Sequence, residues 1–370
     1  MLFGGYELMS RTNLSLMMLV SALLLGFGTP TARATTYIVG TCKPGTQFST
    51  IQSALDANPA PTVVEVCPGS YPEQISISKP VTLEGVVAGN SSFATVVVPP
   101  GGLTNNTTLA GGQAAAAQIL VQNVSGAVNL TNLVVDETNG SANYPIGIFY
   151  KNTPGTMNHM VVFNVSGSIV GFGIILEGGS SDPKVTIENS TISDDQLGIL
   201  VQGMSAGSLT TAIDSNLVNS GINGIQVTSP NTTTTINGNV ITGFTQTAII
   251  LEATEGSVTN NTITGQGSTT QTAIELGDDG MSIESNKIYN VGDGIAATAT
   301  EIMNSQITGN VFTTLSAEGI SLACSYAAPS SKVHSNTFVD VSIAYVVKPG
   351  FSISGSTFIG VQYESINCPI

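Results

Sequence analysis

Between Gly147 and Phe358 one short phrase returns about every 25 residues, and this limits the fold more than any other feature of the chain. A small residue precedes Ile and a brief apolar strand at Gly147-Ile148, Gly173-Ile174, Gly198-Ile199, Gly224-Ile225, Ala248-Ile249, Ala273-Ile274, Gly294-Ile295 and Gly319-Ile320. The steps are 26, 25, 26, 24, 25, 21 and 25 residues. Out of phase with it runs a second phrase, Asn followed two residues later by an apolar residue, at Asn216, Asn239, Asn261, Asn286, Asn310 and Asn336. Ser190 and Ser356 take the Asn place in two copies, and Asn132 and Asn158 read as earlier ones. Two interleaved series at one period denote stacked units, each covering the core of its neighbour. The units hold short Ile-, Val- and Thr-rich strands broken by Gly, Asn, Ser or Asp, with no helical stretch between them. A strand-helix repeat of the leucine-rich type fits this less well than parallel β coils. The reading is all-β: a single right-handed parallel β-helix of about twelve coils, with a small residue at each tight corner and Asn side chains bonding from coil to coil.

The first 34 residues stand apart from the repeat. Arg11 precedes an apolar run from Leu14 to Phe27, and Ala32-Arg33-Ala34 offers a small-x-small cleavage site, the pattern of a secretion signal. The run is shorter than the ~20 residues of a spanning helix, so no membrane span is expected after its removal. Met9 offers an alternative start to Met1. Both arginines leave with this segment, and seven Lys against 23 acidic residues give the remainder a net charge of −16. Phosphate backbones need clustered Lys and Arg, which excludes nucleic acid as a partner. Four Cys in a secreted or periplasmic chain suggest two disulfides, with Cys42–Cys67 and Cys324–Cys368 the local pairing among three.

The expected divisions are a signal over 1–34, an N-terminal cap with a short helix over 35–62, and the β-helix over 63–370. The helix is expected from Phe48 to Ala57, with a capping box at Ser49 and Gln52 and with Ile51, Ala54 and Leu55 on one face. It would cover the open end of the first coil. Pro99 to Ala117 lacks periodicity and reads as an insertion between coils, either mobile or laid over a face.

Phe48-Ser49-Thr50-Ile51-Gln52-Ser53-Ala54-Leu55 and Val64-Glu65-Val66-Cys67-Pro68-Gly69-Ser70-Tyr71-Pro72-Glu73 resemble the head of the pectin-lyase-like superfamily, especially pectinesterases and their non-catalytic relatives. With the later coils, the resemblance covers nearly the whole chain after the signal. It implies a fold and leaves chemistry open, because the superfamily holds lyases, hydrolases, esterases, epimerases and adhesins. Its motifs are incomplete here. The catalytic Arg of pectate lyases and pectinesterases has no counterpart after Arg33. Gly277-Asp278-Asp279-Gly280 resembles one polygalacturonase motif, without that family's Gly-His-Gly and Arg-x-Lys. Asp182-Pro183-Lys184 matches half of an epimerase motif.

Strand alternation supplies candidates where motifs do not. If each repeat Ile points inward, the next outward column reads Phe149, Ile175, Leu200, Gln226, Ile250, Glu275, Ala296, Ser321, and the one beyond it Lys151, Glu177, Gln202, Thr228, Glu252. Glu252 and Glu275 are thus expected near one another on adjacent rungs, as an acid and base for glycoside hydrolysis. Asp278 and Asp279 at the following turn are candidate ligands for Ca²⁺, the one cofactor this cluster would recruit. Glu177, Gln202 and Gln226 are candidate substrate-binding residues. Against this stands the plain reading of all these carboxylates as soluble surface. Asp194-Asp195 reads as turn chemistry, and His159 as a surface residue. Phe149, Ile175, Leu200 and Ile250 would form an exposed apolar stripe, which the 99–117 insertion is expected to cover. Two functions fit: a secreted protein that binds or processes extracellular polysaccharide, as lyase or hydrolase if an enzyme, or a non-catalytic structural or adhesive solenoid at the cell surface.

Overall fold

The computed structural model describes residues 34–370 apart from 88–92, 139, 141, 180–181, 204–206, 278–279, 298–300, 303–304, 323–325, 328–331, 348–352 and 368–370. The signal segment, Asp278, Asp279, Cys324 and Cys368 therefore lie outside the described residues. From Thr36 the chain forms one unit. Strands pair in parallel with those one coil away, each short strand bonding to the coil before and the coil after it. The result is a right-handed parallel β-helix of about eleven coils, close to the twelve expected.

Each coil contributes a strand to three faces. Face A holds Ala114–Gln122, Pro145–Lys151, Phe172–Glu177, Leu197–Gln202 and their successors. Face B holds Val128–Thr131, Gly155–Asn158, Lys184–Glu188 and Leu209–Asp214, and face C holds Leu133–Asp136, Val161–Phe163, Thr191–Ser193 and Leu217–Asn219. The pairings keep the repeat in register: Ile148 opposes Ile174, Ile174 opposes Ile199, and Ile199 opposes Ile225. Inward side chains of all three faces form one continuous apolar core running from Tyr37 to Val347. Period-2 alternation is what permits this, since each coil gives alternate residues to the core and to the outside.

The two repeating phrases take different structural roles from those the sequence suggests. The small residues lie inside the face A strands rather than at corners. A Cβ at Gly224 would stand 2.5 Å from the Ala248 carbonyl oxygen, and one at Gly147 2.7 Å from the Gly173 carbonyl oxygen. Close approach of the next coil therefore sets their size. The turns are made by the residue just before the Asn column, where Asn189, Ser215, Asn260, Ser285 and Ser335 have φ between 51° and 58° and Gly238 and Gly309 replace them. Asn132, at φ 56°, belongs to that turn column rather than the ladder, and Asn158 is the last residue of a face B strand.

The ladder itself begins at Ser190, whose Oγ accepts from Met160 N–H at 3.0 Å, and ends at Ser356, whose Oγ accepts from Asn336 N–H at 3.2 Å. From Asn216 to Asn310 every Asn acts alike. Asn239 N–H and Nδ2 both donate to Asn261 Oδ1, at 2.9 and 3.0 Å, while Nδ2 also reaches back to the Ile213 carbonyl at 2.9 Å. Asn239, Asn261, Asn286, Asn310 and Asn336 are fully buried. Their polar groups are matched coil to coil, so the column lies inside the solenoid without the cost of unpaired amides.

At the head, the helix is shorter than expected. α1 spans Ile51–Leu55, and its N-cap is Thr50, whose side chain accepts from Ser53 N–H; Ser49 does not cap it. Glu73 completes the cap from a distance, its carboxylate accepting from Ile51 N–H at 2.8 Å and Gln52 N–H at 2.9 Å. That contact was invisible to a local reading, because its partner sits 22 residues away. Ile51, Ala54 and Leu55 enter the core as expected. Cys42 and Cys67 form the predicted disulfide. Among the described residues no helix is long and apolar enough to cross a membrane.

Candidate functional site

Face A carries three outward columns, and they change character halfway along. One begins each strand and reads Ile146, Phe172, Leu197, then Asn223, Thr247, Thr272 and Asp293. The next reads Leu120, Phe149, Ile175, Leu200, then Gln226, Ile250, Glu275, Ala296 and Ser321. The last reads Gln122, Lys151, Glu177, Gln202, Thr228 and Glu252. The second and third were legible from alternation. The first was not, because the chain bends at the small residue and resets the phase.

The apolar half is covered. Thr107–Thr108 pairs antiparallel with Ala114 and Ala115, making a hairpin from the non-periodic insertion. Ala115, Ala117 and Leu109 pack with Leu120, Phe149, Phe172, Ile175 and Leu200 as a second apolar cluster outside the solenoid. The insertion thus lies over Phe149, Ile175 and Leu200, as expected; Ile250, the fourth member of the expected stripe, is buried but does not belong to this cluster. Its base is fixed by Asn106, which exchanges two hydrogen bonds with the Ala117 backbone at 2.9 Å, and by Gln74, which accepts from Thr104 N–H at 3.1 Å.

At the edge of the hairpin Lys151, Glu177 and Gln202 form a relay. Lys151 Nζ lies 3.0 Å from Glu177 Oε1, and Glu177 Oε2 accepts from Gln202 Nε2 at 2.9 Å. The ammonium also donates to the Thr108 carbonyl at 2.8 Å and sits 5.6 Å from the Phe149 ring centre. Glu177 is fully enclosed, so its role is to fix Gln202 rather than to touch a ligand.

Beyond the hairpin the face is open. Glu252 is exposed and Glu275 half-buried. Glu275 stands opposite Ile250, not Glu252, so the two carboxylates are diagonal neighbours; two residues along and one strand across is about 8 Å between α-carbons. Gly277, opposite Glu252 in the next coil, approaches it closely: a Cβ there would stand 3.1 Å from the Leu251 carbonyl oxygen and 3.2 Å from Glu252 Cγ. Thr247 Oγ1 donates to Glu275 Oε2 at 3.3 Å. Gln226, half-buried, stands between the buried Leu200 and Ile250 in the same column as Glu275. Among the described residues no group of three or more His, Cys, Asp or Glu side chains is arranged to hold a metal.

Two buried acids lie elsewhere, at the corner between faces C and A. Asp195 accepts from Val165 N–H through Oδ1 at 2.8 Å, and burial pushes its carboxyl up to about 8. Glu137 is 1% exposed, neither oxygen finds a partner, and burial, aided by the Asp195 charge, holds it well above the ordinary carboxyl range. The turn role foreseen for the acidic pair holds for Asp194, at φ 58°. Nothing in the local sequence distinguished Asp195 as buried. His159, at φ 52°, is an exposed turn residue.

Residues 197–365 match the family model of the right-handed beta helix region, and residues 103–275 that of the periplasmic copper-binding protein NosD. No curated protein matches the sequence. Among solved structures, DFA-IIIase from Arthrobacter chlorophenolicus A6 without its lid, in complex with GF2, is 14% identical, with 90% of this chain and 92% of that one covered and a TM-score of 0.52. The same enzyme in another complex with GF2 gives 15%, 86%, 90% and 0.51. The A-module of a mannuronan C-5 epimerase from Azotobacter vinelandii gives 13%, 86%, 94% and 0.41. At these identities the likeness is one of fold. Among the described residues soft donors for copper do not converge in the matched segment: residues 103–275 contain no Cys and His159 alone, Met157 and Met160 are enclosed in the core, and Met204 lies outside the described residues.

Proposed function

We propose that this right-handed parallel β-helix, which shares the fold of the pectin-lyase-like superfamily, binds and processes an extracellular polysaccharide along the open half of face A. The observation that carries this reading is the diagonal pair Glu252 and Glu275, set in different surroundings on a rigid sheet just past the edge of the hairpin. A carboxyl pair of this kind can divide the work of glycoside cleavage, one protonating the leaving oxygen and the other activating water. The exposed Glu252 suits the base, which must meet solvent. Glu275, the half-buried member of the pair, takes the acid role. Gln226 and Gln202 then orient the chain, Gln202 held by the Lys151–Glu177 pair. Asp278 and Asp279 are retained as ligands for a Ca²⁺ that would assist binding at the next turn.

An extracytoplasmic location is supported by the Cys42–Cys67 disulfide and by the likeness of residues 103–275 to a family described as periplasmic. The second reading, a non-catalytic structural or adhesive solenoid, is favoured by the absence of Arg after Arg33 and by the incomplete superfamily motifs. The test is incubation with acidic and neutral polysaccharides, with and without Ca²⁺, assaying new reducing and unsaturated ends. Release of ends that the Glu252→Gln, Glu275→Gln double variant loses supports the enzyme. Unchanged release by that variant would move the site elsewhere, and no release from any polysaccharide leaves the structural reading.

A further inference from the structure

We infer that the ligand of this face is a neutral, hydroxyl-rich glycan, and that polyuronates and sulfated chains are rejected by charge. The inference rests on the glycan reading above and adds the substrate class.

The open half of face A presents carboxylates from successive coils. Glu252 and Glu275 lie on adjacent rungs, and Asp293 begins the next strand, its carboxylate accepting from Glu318 N–H at 3.1 Å. Glu318 in turn stands opposite Ile343 on the same sheet. Among the described residues no Lys shares this half. Lys151, on the covered half, is engaged with Glu177 and the Thr108 carbonyl. Lys184 and Lys332 belong to face B strands and Lys287 to a face C strand. Lys43 pairs with Glu65 at 3.0 Å near the head. A polyanion laid along the rungs would bring a negative charge within a few ångströms of each carboxylate. Such like-charge contacts are unfavourable near a protein surface and find no compensating cation among the described residues of this half, Lys348 lying outside them.

The remaining groups suit hydroxyls. Gln226, Thr228, Thr247, Thr272 and Ser321 offer neutral donors and acceptors on the same columns, and ionised carboxylates accept hydrogen bonds from hydroxyl groups without needing a counter-charge. The outward positions from Asn223 to Ser321 include no aromatic ring among the described residues, so recognition is by hydrogen bonding along the chain rather than by stacking.

The test is calorimetric titration of the full mature protein with neutral oligosaccharides, such as fructan and glucan series, and separately with oligogalacturonate and oligoalginate. Each titration is run both with a chelator and with Ca²⁺, so that a bridging cation is told apart from the bare face. We expect neutral chains to bind with affinities that change less than twofold between 50 and 500 mM NaCl. Acidic chains should bind at least tenfold more weakly at 50 mM, and the gap should narrow as salt screens the face. Glu252→Lys with Glu275→Lys should reverse the preference by at least tenfold. Thr228→Lys, which leaves both carboxylates in place, should reduce the discrimination in a variant of unchanged fold. Acidic chains binding as tightly as neutral ones at low salt would overturn the substrate class while leaving the site. Absence of binding by either class would overturn the site and the class together.

Discussion

The two halves of face A share one backbone and one register, yet they are put to opposite uses. From Leu120 to Leu200 the first two outward columns are apolar and lie beneath the hairpin, with Phe149 and Ile175 fully buried. From Asn223 to Ser321 the same columns carry amides, hydroxyls and carboxylates, exposed or half-buried on the open face apart from the buried Ile250 and Thr247. The solenoid supplies a ruled surface with rungs about 4.8 Å apart. What is written on the outward positions decides whether a stretch becomes core or site. A one-sided strand can thus be buried twice, once inward by its own coil and again outward by an inserted segment, without any change in the repeat.

The largest effect that should separate the halves is on stability. Phe149→Ala opens a cavity under the hairpin and is expected to cost about 3–5 kcal/mol, whereas Gln226→Ala, three positions further along the same column, should stay within about 0.5 kcal/mol; denaturant unfolding measures both. Equal costs would mean that the hairpin does not seal the face. Lys151→Met leaves Glu177 enclosed without its partner and should cost about 3 kcal/mol, with much of that loss recovered when Glu177→Leu is added.

On the open half the expected losses are catalytic. Glu252→Gln or Glu275→Gln should lower turnover by roughly 10²-fold or more with an unchanged melting temperature. Gly277→Ala places a Cβ 3.2 Å from Glu252 Cγ and 3.1 Å from the Leu251 carbonyl oxygen, so it should shift Glu252 and reduce turnover by a smaller factor than its removal.

The pH response is set between these halves, at the corner. Asp195 has its carboxyl raised from 3.8 to about 8 by burial. Between those values the unfolded chain has already released the proton that the folded chain keeps, so stability falls as pH rises from about 4 to about 8 and then levels. Asp195→Asn should flatten that slope, and Glu137→Gln should act in the same direction; a melting-temperature series from pH 4 to 9 checks both.

Much of this was legible in the chain, for reasons that can be stated. The repeat fixed the fold class because a 25-residue period leaves few ways to stack strands. Alternation from each Ile correctly ordered two outward columns, and the apolar stripe foretold its own cover. What escaped was non-local or phase-shifted. The Gly-Ile phrase looked like a corner because Gly favours turns, whereas contact with the next coil is what excludes a side chain there. Asn132 looked like a rung because one Asn resembles another, although its φ of 56° marks the turn beside the ladder. Glu73 caps α1 from another coil, and Glu137 and Asp195 are buried by neighbours that the repeat does not encode.

The most direct test is a crystal structure of the Glu252→Gln, Glu275→Gln double variant soaked with a neutral oligosaccharide that the native protein binds. The account predicts an ordered sugar chain across Gln226, Thr228 and residues 252 and 275, with the 99–117 hairpin in place over Phe149. A sugar ordered on face B or C, or one that displaces the hairpin to lie on Phe149 and Ile175, would contradict it.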